Sequence, residues 1–588
     1  MKRDSLGRID TSGVKVPTPL GPDSLLLRDS LRRRDSLRVV HDTVKAPLFT
    51  AEPPVLADPS GSFAWDRKDV FSTGALTLGD LLERVPGVTT MRPGWIAGPT
   101  VGAFLGDPRR LRIFLDGMEL EELDPRMRAM WDVSQIPLWA LDDIRIERGV
   151  SEIRVYMRSW RVNRTTPFTR TDVYSGDQGT NLYRGLFGRR YRHGEALQLA
   201  GQQYSTNPGG NAQSSDALGI LGRLGVARRN WSADVTLFRN DQNRGTTLTV
   251  PAADSVARLE GTYSNLYARF AWGSTEKGPW VQGTASGANF TYGGEPTTVN
   301  TTPGTQQLAD TSRFRSQYVL SAGYSAGPVR ASFSQRYWAG LQQRVASPSA
   351  RIGVETKYGN VSLFGEGRGL DTTRRLEAAA VFRPFKFVFL AGAIGSTQSE
   401  DDSLANQKFM RAEAGIRVGQ LWFTGGVLRR DSTFLLAPTV YLGTTIDTTS
   451  GSLQGTFATI RGRIWKALYA DIQGIQWNDT ASFYRPRYQT RTELYISTSL
   501  LDRFPTGNFH LLASAVHEYR SGLLWPLLAG PVEVNGYRVF STLLQFRILS
   551  AEVFWNYRNI LNERYQQIPG YPQPRLINVY GVRWEFWN

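Results

Sequence analysis

The chain has 588 residues, 11% of them aromatic and 21% charged, with 58 glycines, no cysteine and a formal charge of +16. That length exceeds one ordinary globular core, so at least two structural units are expected, and a chain without cysteine has no disulfide, iron–sulfur cluster or thiol catalysis. No apolar run approaches the roughly 18 residues of a membrane helix, and basic residues stand singly between apolar ones, as at Arg411, Arg417 and Arg461, which argues against a nucleic-acid partner.

Residues 1–62 are rich in Asp, Ser, Arg and Pro and repeat a short unit, Asp23-Ser24-Leu25, Asp29-Ser30-Leu31 and Asp35-Ser36-Leu37. A six-residue spacing matches neither a helical stripe nor a buried strand face, so this segment reads as a mostly disordered arm. Met1 to Ser5 leads into charged sequence without the apolar core of a secretory leader; for an envelope protein such a leader is expected upstream.

Residues 63–167 read as a small α+β domain. Leu78, Leu81, Leu82 and Val85 recur at i, i+3, i+4 and i+7, with Thr77 as cap and Pro86-Gly87 as stop, which predicts a short helix over 77–85. Leu111, Ile113 and Leu115 predict a strand that turns at Asp116-Gly117 and continues through 118–120. Ile136-Pro137 opens a helical turn reaching Leu141, and Ile144, Ile146 and Arg148-Gly149 mark a further strand.

From 168 to 588 the helical period gives way to alternation. Trp231, Ala233, Val235 and Leu237 alternate with Ser232, Asp234 and Thr236; Met410, Ala412, Ala414 and Ile416 alternate with Arg411, Glu413 and Arg417; Phe385, Phe387 and Phe389 do so around Lys386. Repeated oily and polar faces without helical cover are the signature of strands with lipid outside and water inside, and hydrocarbon requires such a sheet to close. Aromatics at Tyr337-Trp338, Trp422-Phe423, Trp555 and Tyr557 fit interfacial girdles. Twenty-two antiparallel strands leave about 19 residues for each strand with its connection, which is feasible. Short links at 501–507 and 548–551 are expected on the periplasmic side, and the long polar links 287–312, 477–490 and 520–536 outside.

Four stretches resemble the TonB-dependent outer-membrane receptor family. Leu78 to Val88 is similar to that family's first plug helix and its Pro-Gly stop. Ile113 to Gly117 is similar to the plug strand ending in Asp-Gly, and Ile136-Pro137 through Asp143 to Gly149 to the strand ending in Arg-Gly. Asn559 to Tyr565, with Pro569 to Pro572 and Arg575, resembles the last extracellular loop. The signature residues are therefore Leu78, Leu81, Leu82, Val85, Pro86, Gly87, Asp116, Gly117, Arg148 and Gly149. The resemblance implies an all-β membrane barrel with an N-terminal α+β plug in its lumen, in the outer membrane of a Gram-negative bacterium, with residues 1–62 in the periplasm. It implies import of an iron chelate, vitamin or saccharide, driven by a TonB-like energy-transducing protein. Outer-membrane lipids are partners on the same footing, and a surface lipoprotein is a candidate partner. Two departures are visible: Ser151 to Met157 replaces a glycine-rich exit from the plug, and Asn588 follows Phe586-Trp587.

Asp42-Thr43-Val44 has the flavour of an energy-coupling contact, an acidic residue before β-prone ones able to add as a strand to a partner's sheet. Arg92 and Trp95, on the loop after the first plug helix, are candidate apical contacts for ligand. Lumen arginines Arg411 and Arg417 could meet the plug carboxylates Glu83 and Glu147. His41, His193, His510 and His517 form no metal-ligand spacing, and Ser514 and His517 fall on opposite strand faces. No catalytic group, metal or cofactor is expected. The alternative to import is a plugged barrel that no longer transports and acts as an adhesin, binding surface or envelope anchor, a reading that the altered plug exit favours.

Overall fold

The computed structural model describes residues 63–587 apart from 97, 129, 209–213, 246, 249–254, 257–258, 293–297, 302–303, 308–311, 342, 400–405 and 480–482. Twenty-two strands pair antiparallel into a closed barrel, from Phe168–Gly176 to Ile577–Trp587, and these two close it at Val173 opposite Val582. The shortest wall strands have 8 residues and the longest 15. Closure leaves no strand edge unpaired, which a sheet in hydrocarbon requires.

Alternation along each strand divides the wall as expected. Val235 and Leu237 are exposed outward while Ser232, Asp234 and Thr236 are buried inward; Met410 and Ile416 face out while Arg411 and Glu413 face in. Leu199, Leu224, Leu320, Leu376 and Ile394 are each more than half exposed on strands that no helix covers, a surface that lipid tails would solvate. No described helix is long and apolar enough to cross a membrane. The aromatic series Phe385, Phe387 and Phe389 is not one strand: Phe385 ends one strand, 386–387 is the turn, and the next runs Val388–Ser399. Phe385 and Phe387 stack outside, with ring centroids 5.4 Å apart, whereas Phe389 is fully buried inside. Of the pair Tyr337-Trp338 only Tyr337 faces out, because successive residues of a strand take opposite faces.

The two barrel ends differ. At one, the links are short, such as 327–328, 386–387 and 549–550, and the longest is 499–508. At the other, links 245–258, 293–311, 431–452, 521–536 and 559–576 each carry a two-stranded hairpin. The expected long links fall together at this second end.

Inside lies a five-stranded sheet ordered Ala64–Asp66, Leu141–Arg148, Ile153–Ser159, Leu111–Leu115, Met118–Glu119. Only the pairing of Leu111–Leu115 with Ile153–Ser159 is parallel. The predicted helix is shorter than its stripe, Leu78–Leu82, capped by Thr77 in a reciprocal box with Asp80. Leu78, Leu81, Leu82 and Val85 are fully buried and pack on Ile113, Ile144, Ile153 and Val155, each side chain worth about 1.5–3 kcal/mol of burial. The helical turn near 138 is a 3-10 turn, Leu138–Ala140.

Candidate functional site

The surface between plug and wall is the candidate site, and it is built differently on its two sides. Against the strands from Gln343–Thr356 to Gln407–Val418 the contact is ionic. Arg112 donates through both terminal nitrogens to Glu366, at 2.8 and 2.9 Å, and also to Glu119 and Glu152. Arg154, wholly buried, donates to Glu147, Glu152 and the wall residue Glu377 at 2.6–3.0 Å. From the wall, Arg351 reaches Glu147 at 3.2 Å and Arg375 reaches both Glu152 and Glu366. Arg148 pairs with Glu413 at 2.9 Å. Removing one member of such a buried set strands its partners at a cost of about 3–5 kcal/mol. Gly149 keeps this turn tight, since a Cβ there would stand 2.6 Å from the Glu152 carbonyl oxygen.

The expected carboxylate partners are different ones. Arg411 donates to the Arg148 carbonyl oxygen instead of reaching Glu83 or Glu147, and Arg417, exposed near the short-turn end, donates to Gly419 O. Glu147 belongs to Arg154 and Arg351, and Glu83 to Arg520 and Arg92.

Asp116, read from sequence as a turn residue, has φ +53° and Gly117 φ +88°. Its buried carboxylate accepts from Tyr267 Oη at 3.1 Å and pairs with Arg269 at 2.7 Å, both on the wall, and also accepts from Ser159. Burial opposes ionisation, but Arg269, Arg161 and Arg223 hold the carboxyl well below its ordinary range. The turn is thus also an anchor. Nearby, burial, reinforced by Asp124, pushes the Glu122 carboxyl up to about 8.

Against the strands from Tyr488–Thr498 to Ile577–Trp587 the plug fits less closely. A cavity of about 110 Å³ lies here, lined by Asp80, Glu83, Arg92, Trp95, Glu518 and Arg558 among others. Around its lining, wall and plug still share ion pairs, Arg84 with Glu493, Arg520 with Glu83 and Arg558 with Asp80. Below it the contact thins to the Asn556 side-chain amide donating to Gly74 O at 3.1 Å and Arg583 reaching Phe71 O at 3.3 Å.

Arg92 and Trp95 both line this cavity and both are buried. Arg92 pairs with Asp80 and Glu83, and its carbonyl oxygen accepts from Gln573. Trp95 Nε1 donates to Thr180 at 2.9 Å, and Arg558 lies over its ring. Neither is an open apical surface.

What covers them is a roof of long-loop residues. Leu435, Tyr441, Tyr484, Leu523, Trp525, Ile568 and Tyr571 from four loops join Met91, Val101, Met127 and Met130 of the plug in one buried cluster. Tyr441 Oη donates to the Met91 and Pro99 carbonyl oxygens at 3.0 Å, Tyr571 Oη to Tyr441 O at 2.8 Å, and Arg128 pairs with Asp447. These partners are separated by hundreds of residues, so no local pattern signals them. Ser497 Oγ and His510 Nε2 lie 3.0 Å apart on neighbouring strands, a pairing set by the register between them. Asp42, Thr43 and Val44 lie outside the described residues.

Solved structures share this architecture. The siderophore receptor PirA from Acinetobacter baumannii superposes with a TM-score of 0.66 at 11% identity, covering 89% of this chain and 98% of that one. The FrpB iron transporter from Neisseria meningitidis gives 0.64 at 9%, over 90% and 100%. The ferric-catecholate import receptor Fiu from E. coli K12, in its open form, gives 0.62 at 12%, over 92% and 100%. At such identities the likeness is one of fold, and it is to receptors and transporters rather than to enzymes. No family model and no curated protein sequence matches the chain.

Proposed function

We propose that the chain is a TonB-dependent receptor of a Gram-negative outer membrane, importing a hydrophilic ligand such as an iron chelate, vitamin or saccharide past a plug that a periplasmic energy-transducing protein displaces. The observation that carries this reading is a separately folded α/β domain filling a closed 22-strand barrel. A static stopper could be sealed by apolar contact alone, whereas the contact here is ion-paired, and water entering a polar interface as it parts lowers the penalty for breaking and remaking it. On this reading the long loops face outward, residues 63–167 are the plug, and residues 1–62 reach into the periplasm with Asp42, Thr43 and Val44 adding as a strand to the transducer. Arg92 and Trp95 would meet ligand only after the roof lifts.

Deleting residues 40–50 tests it: cells should lose uptake of the effective probe among a ferric catecholate, a ferric hydroxamate, cyanocobalamin and a malto-oligosaccharide, and pull-down of the transducer should fail. Unchanged pull-down with a folded barrel removes import as the explanation. A second reading, a barrel that binds without transporting, is favoured by the buried ion set around Arg112 and Arg154; it expects surface binding of a probe with no accumulation inside the cell.

A further inference from the structure

The inner wall beside the cavity is banded. Register across strands Tyr488–Thr498, Phe509–Arg520, Tyr537–Ile548 and Ala551–Arg558 sets successive rungs. Uppermost is Arg491 opposite Glu518, itself opposite Val539; the next rung has Val516 opposite Ser541, with Arg558 at the end of the neighbouring strand. Then come Ser514, opposite Leu543, which is itself opposite Asn556; next Leu512, opposite Gln545, itself opposite Phe554; lowest are His510, Arg547 and Glu552. Leu512, Leu543 and Phe554 are buried and belong to one cluster with Trp95 and Ile96 of the plug, against which Leu76 also packs. The lowest rung is only half-buried, so water reaches it from the short-turn end. Two rungs, in which Leu512, Leu543 and Phe554 stand beside Ser514, Gln545 and Asn556, therefore lie between the cavity and an aqueous mouth.

The plug piece lying on that band is loosely bedded. Thr73, Gly74 and Ala75 line the cavity described above, and Leu76 and Thr77 line a second one of about 70 Å³ on their other side. Gly74 has φ +68°, and a Cβ there would stand 3.0 Å from Asn556 Nδ2 and 3.3 Å from Leu543 Cδ2. Thus a five-residue link with space on both flanks rests against the wall through the hydrogen bond from the Asn556 side-chain amide to Gly74 O and apolar contact.

We propose that Leu512, Leu543 and Phe554 form the gate of a passage along this wall sector, closed by the link 73–77, and that the solute it passes is hydrophilic. The inference rests on the import reading. A short apolar constriction excludes water and ions while closed and wets when its lining is withdrawn or made polar. The rungs above and below offer charged and hydroxyl groups to a solute that has shed part of its hydration. The ionic side of the plug need not part.

The test uses the full chain reconstituted in a planar bilayer, with potassium and chloride as the probe. Leu543→Ser with Phe554→Ser should raise ionic conductance roughly tenfold or more by wetting the band. Phe364→Ser, on the ionic side, should stay closed. In the chain carrying the two serines, an added Gly74→Cys and Asn556→Cys pair should suppress the conductance when oxidised and restore it with reductant; the native chain has no cysteine to interfere. Silent gate variants whose barrels keep their folded migration on a gel, or equal leakage from Phe364→Ser, overturns the proposal. So does conductance indifferent to the disulfide. The bilayer contains neither ligand nor transducer, so a failed gate leaves the import reading standing, and failed transducer pull-down leaves the conductance result standing.

Discussion

The plug meets the barrel through two unlike faces. On one, Arg112, Arg154, Arg351 and Arg375 interlock with Glu147, Glu152, Glu366 and Glu377, each carboxylate shared by at least two guanidiniums or further donors. On the other, beneath a cavity, the Asn556 amide, the Arg583 guanidinium on Phe71 and a short apolar cluster make the contact. The contrast teaches that a domain sealed inside a pore can be fastened by charge on one side and merely wedged on the other. Charge networks are costly to disrupt piecemeal, whereas single hydrogen bonds contribute about 1 kcal/mol.

Substitutions on each face should break or sharpen that contrast. Glu366→Ala removes the shared acceptor of Arg112 and Arg375 and should lower the opening free energy of the plug by about 3–5 kcal/mol, read as faster amide exchange over 111–119 and 152–159. Asn556→Ala on the opposite face should cost only about 1 kcal/mol and speed exchange at 73–77 alone; equal effects would erase the asymmetry. Glu122 adds a pH axis. Its carboxyl titrates near 8 when folded against 4.5 otherwise, so the stability it contributes is complete below about 4.5 and lost as pH rises toward 8. Glu122→Gln should flatten that slope by about 1.4 kcal/mol per pH unit at most in a thermal melt series from acid to pH 8. An effect of the same size belongs to the roof: Tyr571→Phe removes one donor to Tyr441 O and should loosen loop 559–576 by about 0.5–1.5 kcal/mol, seen as local exchange with the plug unaffected.

What the sequence exposes is whatever repeats locally. The stripe Leu78, Leu81, Leu82 and Val85 gives its helix, and the alternation of Met410 to Ile416 gives both wall faces, because neighbouring residues decide each. Asp116-Gly117 reads correctly as a turn, yet its anchoring role waits on Tyr267 and Arg269, some 150 positions away. Arg92 and Trp95 read as apical from their place after the helix, but Gln573, Thr180 and Arg558 surround them, and only the closed barrel brings those residues there. Phe385 to Phe389 reads as a continuous strand because aromatic spacing does not distinguish a two-residue hairpin from the strand it interrupts.

The strand Ala64–Asp66 sits at the outer border of the plug sheet and pairs only with Leu141–Arg148, over three residues and in opposite directions. Traction on the chain ahead of Phe63, drawn back along that border, would load its rungs one after another, as a zip opens, instead of all at once as in shear. The next elements on the same thread are the six-residue helix Arg67–Ser72 and then the link at 73–77. A modest force applied to the arm would thus arrive at the wedged face first, with the charged face acting as the hinge post.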